Sequence, residues 1–478
     1  MNPTCRRFAV LLCYALLAAF SLPVMQIAAP ATAAELWVGA ATADITPDRP
    51  VPLTGGTSVR IGREIQSRLT ANVLALESRD GQKSLDQAIL VACDLCVIRP
   101  GIQEAFRKHV AARLPGFDVN KLVLAATHTH TAPVLLQDRY EEKDYEDAMQ
   151  PKEYVPWLYE QMAQAVVKAW EDRQAGAVAW GLGHAVAGHN RRVVYSDGTA
   201  KMHGNTALPE FRGIEGFEDH AVQILCFYDS QKRLKAAALS LATTAQAEGG
   251  SKVDADFWAH VRRLIHERHG DQVCVLGFCA PAGDQTPRTQ VHKKSEQRMC
   301  ELRGLTYSQE IGRRVAAAFD DVAAVIAQGI RADVPLVHRV QALELPARIV
   351  TEAEHAVAKK VCEDIDAKQT RTKSDHWTRN LYRSIADRYE AQQKGDEKTY
   401  EMELHVLRLG DVAIATSPFE LFLDYGVQID GRSPAVQTFQ IQLAGANRQH
   451  AYYLPTPRAV AGGALDDKPF TNYSATVM

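Results

Sequence analysis

The chain has 478 residues, 46% of them hydrophobic, which is enough to bury a large core. Its formal net charge is −3, and no long basic run interrupts it. That balance argues against a nucleic-acid surface or a polybasic membrane anchor and points to a small-molecule partner.

The first residues read as an export signal. Arg6 and Arg7 precede the apolar run Phe8–Phe20, and Ala31-Thr32-Ala33 offers a small-x-small cleavage site. The expected organisation is therefore a signal peptide over 1–33 and a single domain over 34–478, secreted or periplasmic. The apolar run is shorter than the roughly 20 residues of a spanning helix and closes at Ser21 and Pro23, so no transmembrane segment is expected in the mature chain. Of nine cysteines, Cys5 and Cys13 lie in the leader, and the rest are too scattered for a disulfide framework. Cys93 and Cys96 form a C-x-x-C inside the apolar run Ala88–Ile98, which reads as a buried strand.

Leu36–Ala40 opens the mature chain as a strand, and a Pro/Gly-rich loop follows to Gly56. Strands are predicted at Ala71–Leu76 and Ala88–Ile98, a helix at Ile102–Leu114, and a strand at Leu122–Ala126 that empties into Thr127-His128-Thr129-His130. Alternate residues on extended backbone share a face, so His128 and His130 can address one metal ion or one substrate group.

An amphipathic helix from about Val155 to Asp172 and a strand at Ala177–Leu182 lead to the loop Gly188-His189-Asn190-Arg191-Arg192. Asn190 and Arg191 in it suit binding of an acidic or hydroxylated group. A hairpin, Ala221–Tyr228 with Leu234–Leu241, ends at Thr243-Thr244-Ala245-Gln246. After helix Ala255–His269, the strand Val273–Phe278 ends in the loop that carries Asp284 and Thr286. Helix Ser308–Ala327 and a strand near Leu336–Leu345 precede a charged stretch of helical periodicity, Val350–Lys394, expected to be an inserted helical hairpin serving as a spacer or a lid. Strands Glu401–Leu409 and Val412–Thr416 then deliver Ser417-Pro418-Phe419-Glu420, and Gln437–Leu443 leads to Tyr452 and Tyr453. Alternating strands and helices predict an α/β fold, a mixed layered sheet flanked by helices.

Several strand ends thus offer imidazole, carboxylate and phenol, a donor set acceptable to a catalytic zinc. Ala125-Ala126-Thr127-His128-Thr129-His130-Thr131-Ala132-Pro133 resembles the ATHTHSGP motif of the neutral/alkaline non-lysosomal ceramidases. Gly283-Asp284-Gln285-Thr286-Pro287 is similar to the family's GDxSP loop, Ser417-Pro418-Phe419-Glu420 to its PGEF motif, and Tyr452-Tyr453-Leu454-Pro455-Thr456 to its YxxYxxT segment. The opening Gly39–Pro47 is similar to the family's GxGxADITGP start.

The resemblance implies a Zn2+-dependent amidohydrolase acting on an N-acylated small molecule or lipid. It would make His128, Glu420 and Tyr453 metal ligands and His130 an acid/base. Asp284, Thr286 and Tyr453 would be further catalytic groups, with Tyr453 preferred to Tyr452 because it directly precedes Leu-Pro-Thr. Three departures stand out. No imidazole occupies the place of the family's second zinc histidine, where Thr243 and Thr244 stand; His220 is taken as the replacement, with His189, Gln246 and Glu248 as other candidates. Thr286 replaces a serine, and the family's C-terminal β-sandwich domain is not expected. A binding protein that has lost part of its metal site is the alternative reading. Other hydrolases built on His-x-His fit less well, because Thr131-Ala132-Pro133 follows here rather than x-Asp-His, and several elements precede the pair.

Overall fold

Runs such as Asn72–Leu76, in which successive side chains must bury on opposite faces, need cover on both sides of their sheet. The computed structural model, which describes residues 34–396, 398–445 and 452–463, provides it with three layers. The expected signal peptide lies outside the described residues.

The central layer is an eight-stranded sheet of β1 (Glu35–Asp44), β2 (Thr70–Asp80), β3 (Lys83–Cys93), β4 (Leu122–Ala126), β5 (Gln174–His184), β6 (Ala221–Asp229), β7 (Leu234–Leu241) and β8 (Cys274–Cys279). The strands run β8-β7-β6-β5-β1-β2-β3-β4 across the sheet. Only the edge pairs β3/β4 and β7/β8 are parallel; the interior is antiparallel, so the sheet is mixed.

One face packs on the helices α1 (Ile102–Val110), α2 (Pro151–Glu171), α3 (Phe257–His269) and α4 (Tyr307–Ile326). The opposite face packs on a second sheet, β9 (Leu336–Pro346), β10 (Thr399–Leu409), β11 (Val412–Thr416) and β12 (Gln437–Ile441), through Leu74, Leu90, Phe227, Phe278, Leu407 and Phe439. Ala71, Val73 and Ala75 face the helices while Leu74 and Leu76 face the second sheet, the period-2 alternation of a strand buried on both sides. The span 350–394 forms two antiparallel helices, α5 (Glu352–Asp366) and α6 (Asp375–Lys394), closed on each other by Ala358, Leu381 and Ile385. No helix among the described residues is long and apolar enough to cross a membrane.

The strand expected over Ala88–Ile98 stops at Cys93. There Asp94 turns the chain: its buried carboxylate accepts from Thr70 N–H, the Thr70 and Thr127 hydroxyls, and both terminal nitrogens of Arg262. Cys96 therefore leaves the sheet and lies beside His128, with its Sγ 3.9 Å from the imidazole Nδ1.

Candidate metal and catalytic site

β4 ends at Ala126, and the next residues hang on the turn after β3: Thr127 N–H donates to Cys93 O, and His128 N–H and Thr129 N–H donate to Leu95 O. His128 adopts φ 66, a left-handed conformation that costs a residue with a Cβ and persists where its surroundings hold it. The sequence implied that the two imidazoles meet through strand alternation; they meet through this turn instead. Their rings sit edge to face, with centroids 4.9 Å apart and Nε2 atoms 3.5 Å apart. The Thr129 and Thr131 hydroxyls both donate to Asp254 O and pin the loop on either side of His130.

Glu420 and Tyr453 arrive together. Glu420–Leu421 pairs in parallel with Tyr453–Leu454, Glu420 opposite Tyr453. The Glu420 carboxylate reaches His128, Oε2 to Nε2 3.4 Å. On the far side of that ring, His128 Nδ1 donates to Cys96 O at 2.6 Å. A proton held there makes Nε2 the nitrogen that faces Glu420 and His130. The Tyr453 hydroxyl accepts from the Arg191 guanidinium at 3.1 Å. His128, His130, Glu420, Tyr452 and Tyr453 line one cavity of about 120 Å³, together with Gly55 and Cys96.

Burial is the largest influence on each of these groups and opposes its charge. At His128 it is outweighed by the Glu420 carboxylate and Cys96, which hold the imidazole well above its usual value. At Glu420, too, His128, Arg191 and His130 overcome burial and bring the carboxyl down to about 2. His130 is driven down to about 3 by burial and then by repulsion from His128, so it stays neutral. Burial, then Glu420, pushes the Tyr453 phenol up to about 12.

Cys96, His128 and His130 bring their ligand atoms within 4.8 Å of one another, close enough to share a divalent cation, and Glu420 reaches the same His128 nitrogen. Bonds of about 2.0 Å at tetrahedral angles place neighbouring ligand atoms about 3.3 Å apart. The observed separations from His128 Nε2 are 3.4 Å to Glu420 and 3.5 Å to His130. A cation between them would replace the proton that Glu420 otherwise holds on His128. Within the site, buried His130 Nδ1 has no hydrogen-bond partner among the described residues, and neither do the buried Thr243 and Thr244 hydroxyls after β7.

The other expected residues fall elsewhere. Asp284 accepts from Leu423 N–H and from Asn190 Nδ2, tying the segment after Glu420 to the Asn190 loop, and burial raises its carboxyl to about 6. Asn190 is spent structurally, since its side-chain oxygen also accepts from Arg192 N–H. Arg191 donates to Gly283 O as well as to Tyr453, so it positions the phenol. Thr286 is buried in a two-residue pairing with His189. His220 does not join the group around His128. It stands at the start of β6, with its ring 6.0 Å from that of His189 and 3.7 Å from Glu218, which also holds His189.

Four participants escaped the sequence. Cys96 had a signal in its C-x-x-C, but the apolar run hid the turn. Gly55 has φ 85, and a Cβ there would sit 2.5 Å from His130 Cβ, so the bare backbone makes room for that imidazole. Arg99 and Trp377 also line the cavity, and Trp377 belongs to α6, remote in sequence.

The three-layer α/β fold is that of the neutral ceramidases. The solved neutral ceramidase from Pseudomonas aeruginosa superposes with a TM-score of 0.64 at 18% identity, over 92% of this chain and 73% of that one. A ceramidase structure complexed with C2 gives a TM-score of 0.61 at 16% identity, over 92% and 74%. No family model matches the chain. No curated protein matches it either. At these identities the likeness is one of fold.

Proposed function

We propose that the protein is an exported zinc-dependent hydrolase that cleaves the amide bond of an N-acylated small molecule or lipid. The observation that carries this reading is that His128 Nε2 stands 3.4 Å from Glu420 Oε2 and 3.5 Å from His130 Nε2, in a cavity that Cys96 and Tyr453 also line. A divalent cation bound there supplies hydroxide at neutral pH and polarises a carbonyl.

The chain's own groups supply the rest. His128 presents Nε2 because Cys96 O holds the opposite proton. Glu420 brings the negative charge that a cation requires. His130, kept neutral, takes a proton from the attacking water and returns it to the leaving amine. Tyr453 keeps its proton, its oxygen accepts from Arg191, and its hydroxyl is the donor this reading assigns to the developing oxyanion. The ligand spacing of His130 Nε2 also favours a second assignment, in which this imidazole takes the place of the missing histidine and completes the coordination.

The alternative, a silent binding protein, draws on Thr243, whose hydroxyl is a poor substitute for an imidazole. Elemental analysis of purified protein, with an acyl-amide panel for wild type, His128→Ala and Glu420→Gln, decides between them. One zinc per chain and amide cleavage in wild type, both lost in the variants, are expected. Metal-free wild type that still binds ligand would establish the silent form. Export is supported by the leader pattern over 1–33, and N-terminal sequencing of extracellular or periplasmic protein should begin near Ala34.

A further inference from the structure

The metal-site cavity does not end at His130 and Tyr453. Arg99, Arg139, Trp377 and Tyr452 line it and also line a larger chamber of about 350 Å³ next to it, with Asn380 and Asp138 farther along the wall. The α6 hairpin helix forms one side of this chamber and is docked there, because His376 Nε2 and Asn380 Nδ2 both contact Asp138 O. The hairpin is thus a wall of the binding space.

Two guanidinium groups at the junction of the cavities are unusual in what they lack. Most of the partly buried arginines in this molecule have a carboxylate, as Arg107 has Glu403, Arg192 has Glu215 and Arg262 has Asp94. Arg99 and Arg139 have no ion-pair partner among the described residues, and Arg139 Nε is buried with no hydrogen-bond partner at all. The Arg139 guanidinium lies 5.6 Å from the centre of the Trp377 ring, and this contact limits where its donors can point. Asp138 contributes an exposed carboxylate to that wall that makes no ion pair with either arginine, and Glu420, which lines the metal-site cavity with both, attracts Arg99 but is paired with His128. Two unpaired guanidiniums beside a buried hydrolytic centre are costly unless something anionic occupies the space between them.

We propose that the chamber receives a carboxylate carried by the amine half of the substrate, held by Arg99 and Arg139 beside Trp377, so that the amide cleaved is that of an N-acyl amino acid. This rests on the hydrolase reading above and narrows it. Planar guanidinium forks match a carboxylate through paired N–H donors, which a neutral hydroxyl cannot reproduce. In the reaction the acyl carbon–nitrogen bond breaks, the hydroxyl of water goes to the acyl carbon and its proton to the amine, leaving a fatty acid and an amino acid.

The test compares N-lauroylglycine with N-lauroylethanolamine, which share an acyl chain and differ at the terminal group, on the zinc-loaded wild type and on Arg139→Gln and Arg139→Lys. Alongside, calorimetry measures binding of ketomethylene analogues of the two amides, in which CH2 replaces the amide N–H. Thermal unfolding shows whether each variant is folded. The expected result is at least about a tenfold preference in kcat/KM and in affinity for the carboxylate member, collapsing toward equality in Arg139→Gln and partly restored in Arg139→Lys. Equal cleavage of both substrates by wild type would overturn the carboxylate site while leaving the hydrolase in place. Selective binding of the carboxylate analogue with neither amide cleaved would support the site and remove the hydrolase. A carboxylate preference that survives Arg139→Gln intact would also overturn the assignment.

Discussion

Asp94→Asn is expected to cost more stability than its one-atom change suggests. The Asp94 side chain is fully buried and Arg262 is 8% exposed. Oδ2 accepts from Thr70 N–H, the Thr70 hydroxyl and one Arg262 nitrogen, while Oδ1 accepts from the Thr127 hydroxyl and the other Arg262 nitrogen. Either orientation of an asparagine amide therefore points an N–H2 at a guanidinium donor and a threonine donor, and Arg262 is left charged and unpaired. Breaking one partner of such a pair costs about 3–5 kcal/mol, a large share of the roughly 5–15 kcal/mol that holds a protein folded. At about 2.1 cal/mol/K of unfolding entropy per residue, a chain of this length loses about 4 °C of melting temperature for 4 kcal/mol. Scanning calorimetry measures that drop. The double variant Asp94→Leu with Arg262→Leu, which buries neither charge, should recover most of it. A fall below about 1 °C, or a double variant no better than the single one, would refute the claim that this pair clamps the turn beneath His128.

Glu420→Gln keeps shape and removes charge, so metal content measured by mass spectrometry should fall well below one zinc per chain; full retention would remove Glu420 from the ligand set. Gly55→Ala forces a Cβ against His130 and into a φ of 85, and a displacement of about 1 Å costs on the order of 100-fold in turnover. Amide cleavage should drop while zinc binding through His128 and Glu420 persists, and unchanged kcat would show that His130 plays no part. Glu403, hydrogen-bonded by Arg107 and His405, is held at about 2 although burial pulls the other way. A depressed carboxylate stabilises the fold above the unfolded value of about 4.3, and this contribution, on the order of 3 kcal/mol, is lost as the pH falls from there through about 2. Denaturant titrations between pH 5 and pH 2 should show this loss in wild type and a flatter profile in Glu403→Gln. Equal slopes would dismiss the network as an acid-sensitive element.

What the sequence determined by itself is local. Apolar runs at strand and helix periods located the principal β-strands and helices, because burial on one or two faces repeats at a spacing that adjacent residues reveal. The habit of these strands of ending in ionisable residues also offered His128, His130, Asp284 with Thr286, Glu420, and Tyr452 or Tyr453, since a polar group just past a buried run sits at a sheet edge, and the resemblance to the ceramidases chose among them. The mixed α/β class followed from the alternation of elements.

Tertiary structure decided which of those ends meet. Glu420 and Tyr453 come together only because two short strands pair in parallel, and the pair reaches His128 only because the second sheet covers one face of the first. His220, a spare imidazole just before β6, was placed with Glu218 and His189, where its carbonyl accepts from Ala185 N–H. The left-handed turn at His128 is imposed by bonds to Leu95 and Cys96, partners that no pattern around residue 128 contains. Trp377, Arg99 and Arg139 share a chamber through the docking of a hairpin far along the chain. Periodicity records how deeply a residue is buried. Its neighbours there depend on strand order and register, which are set by the packing of the whole molecule.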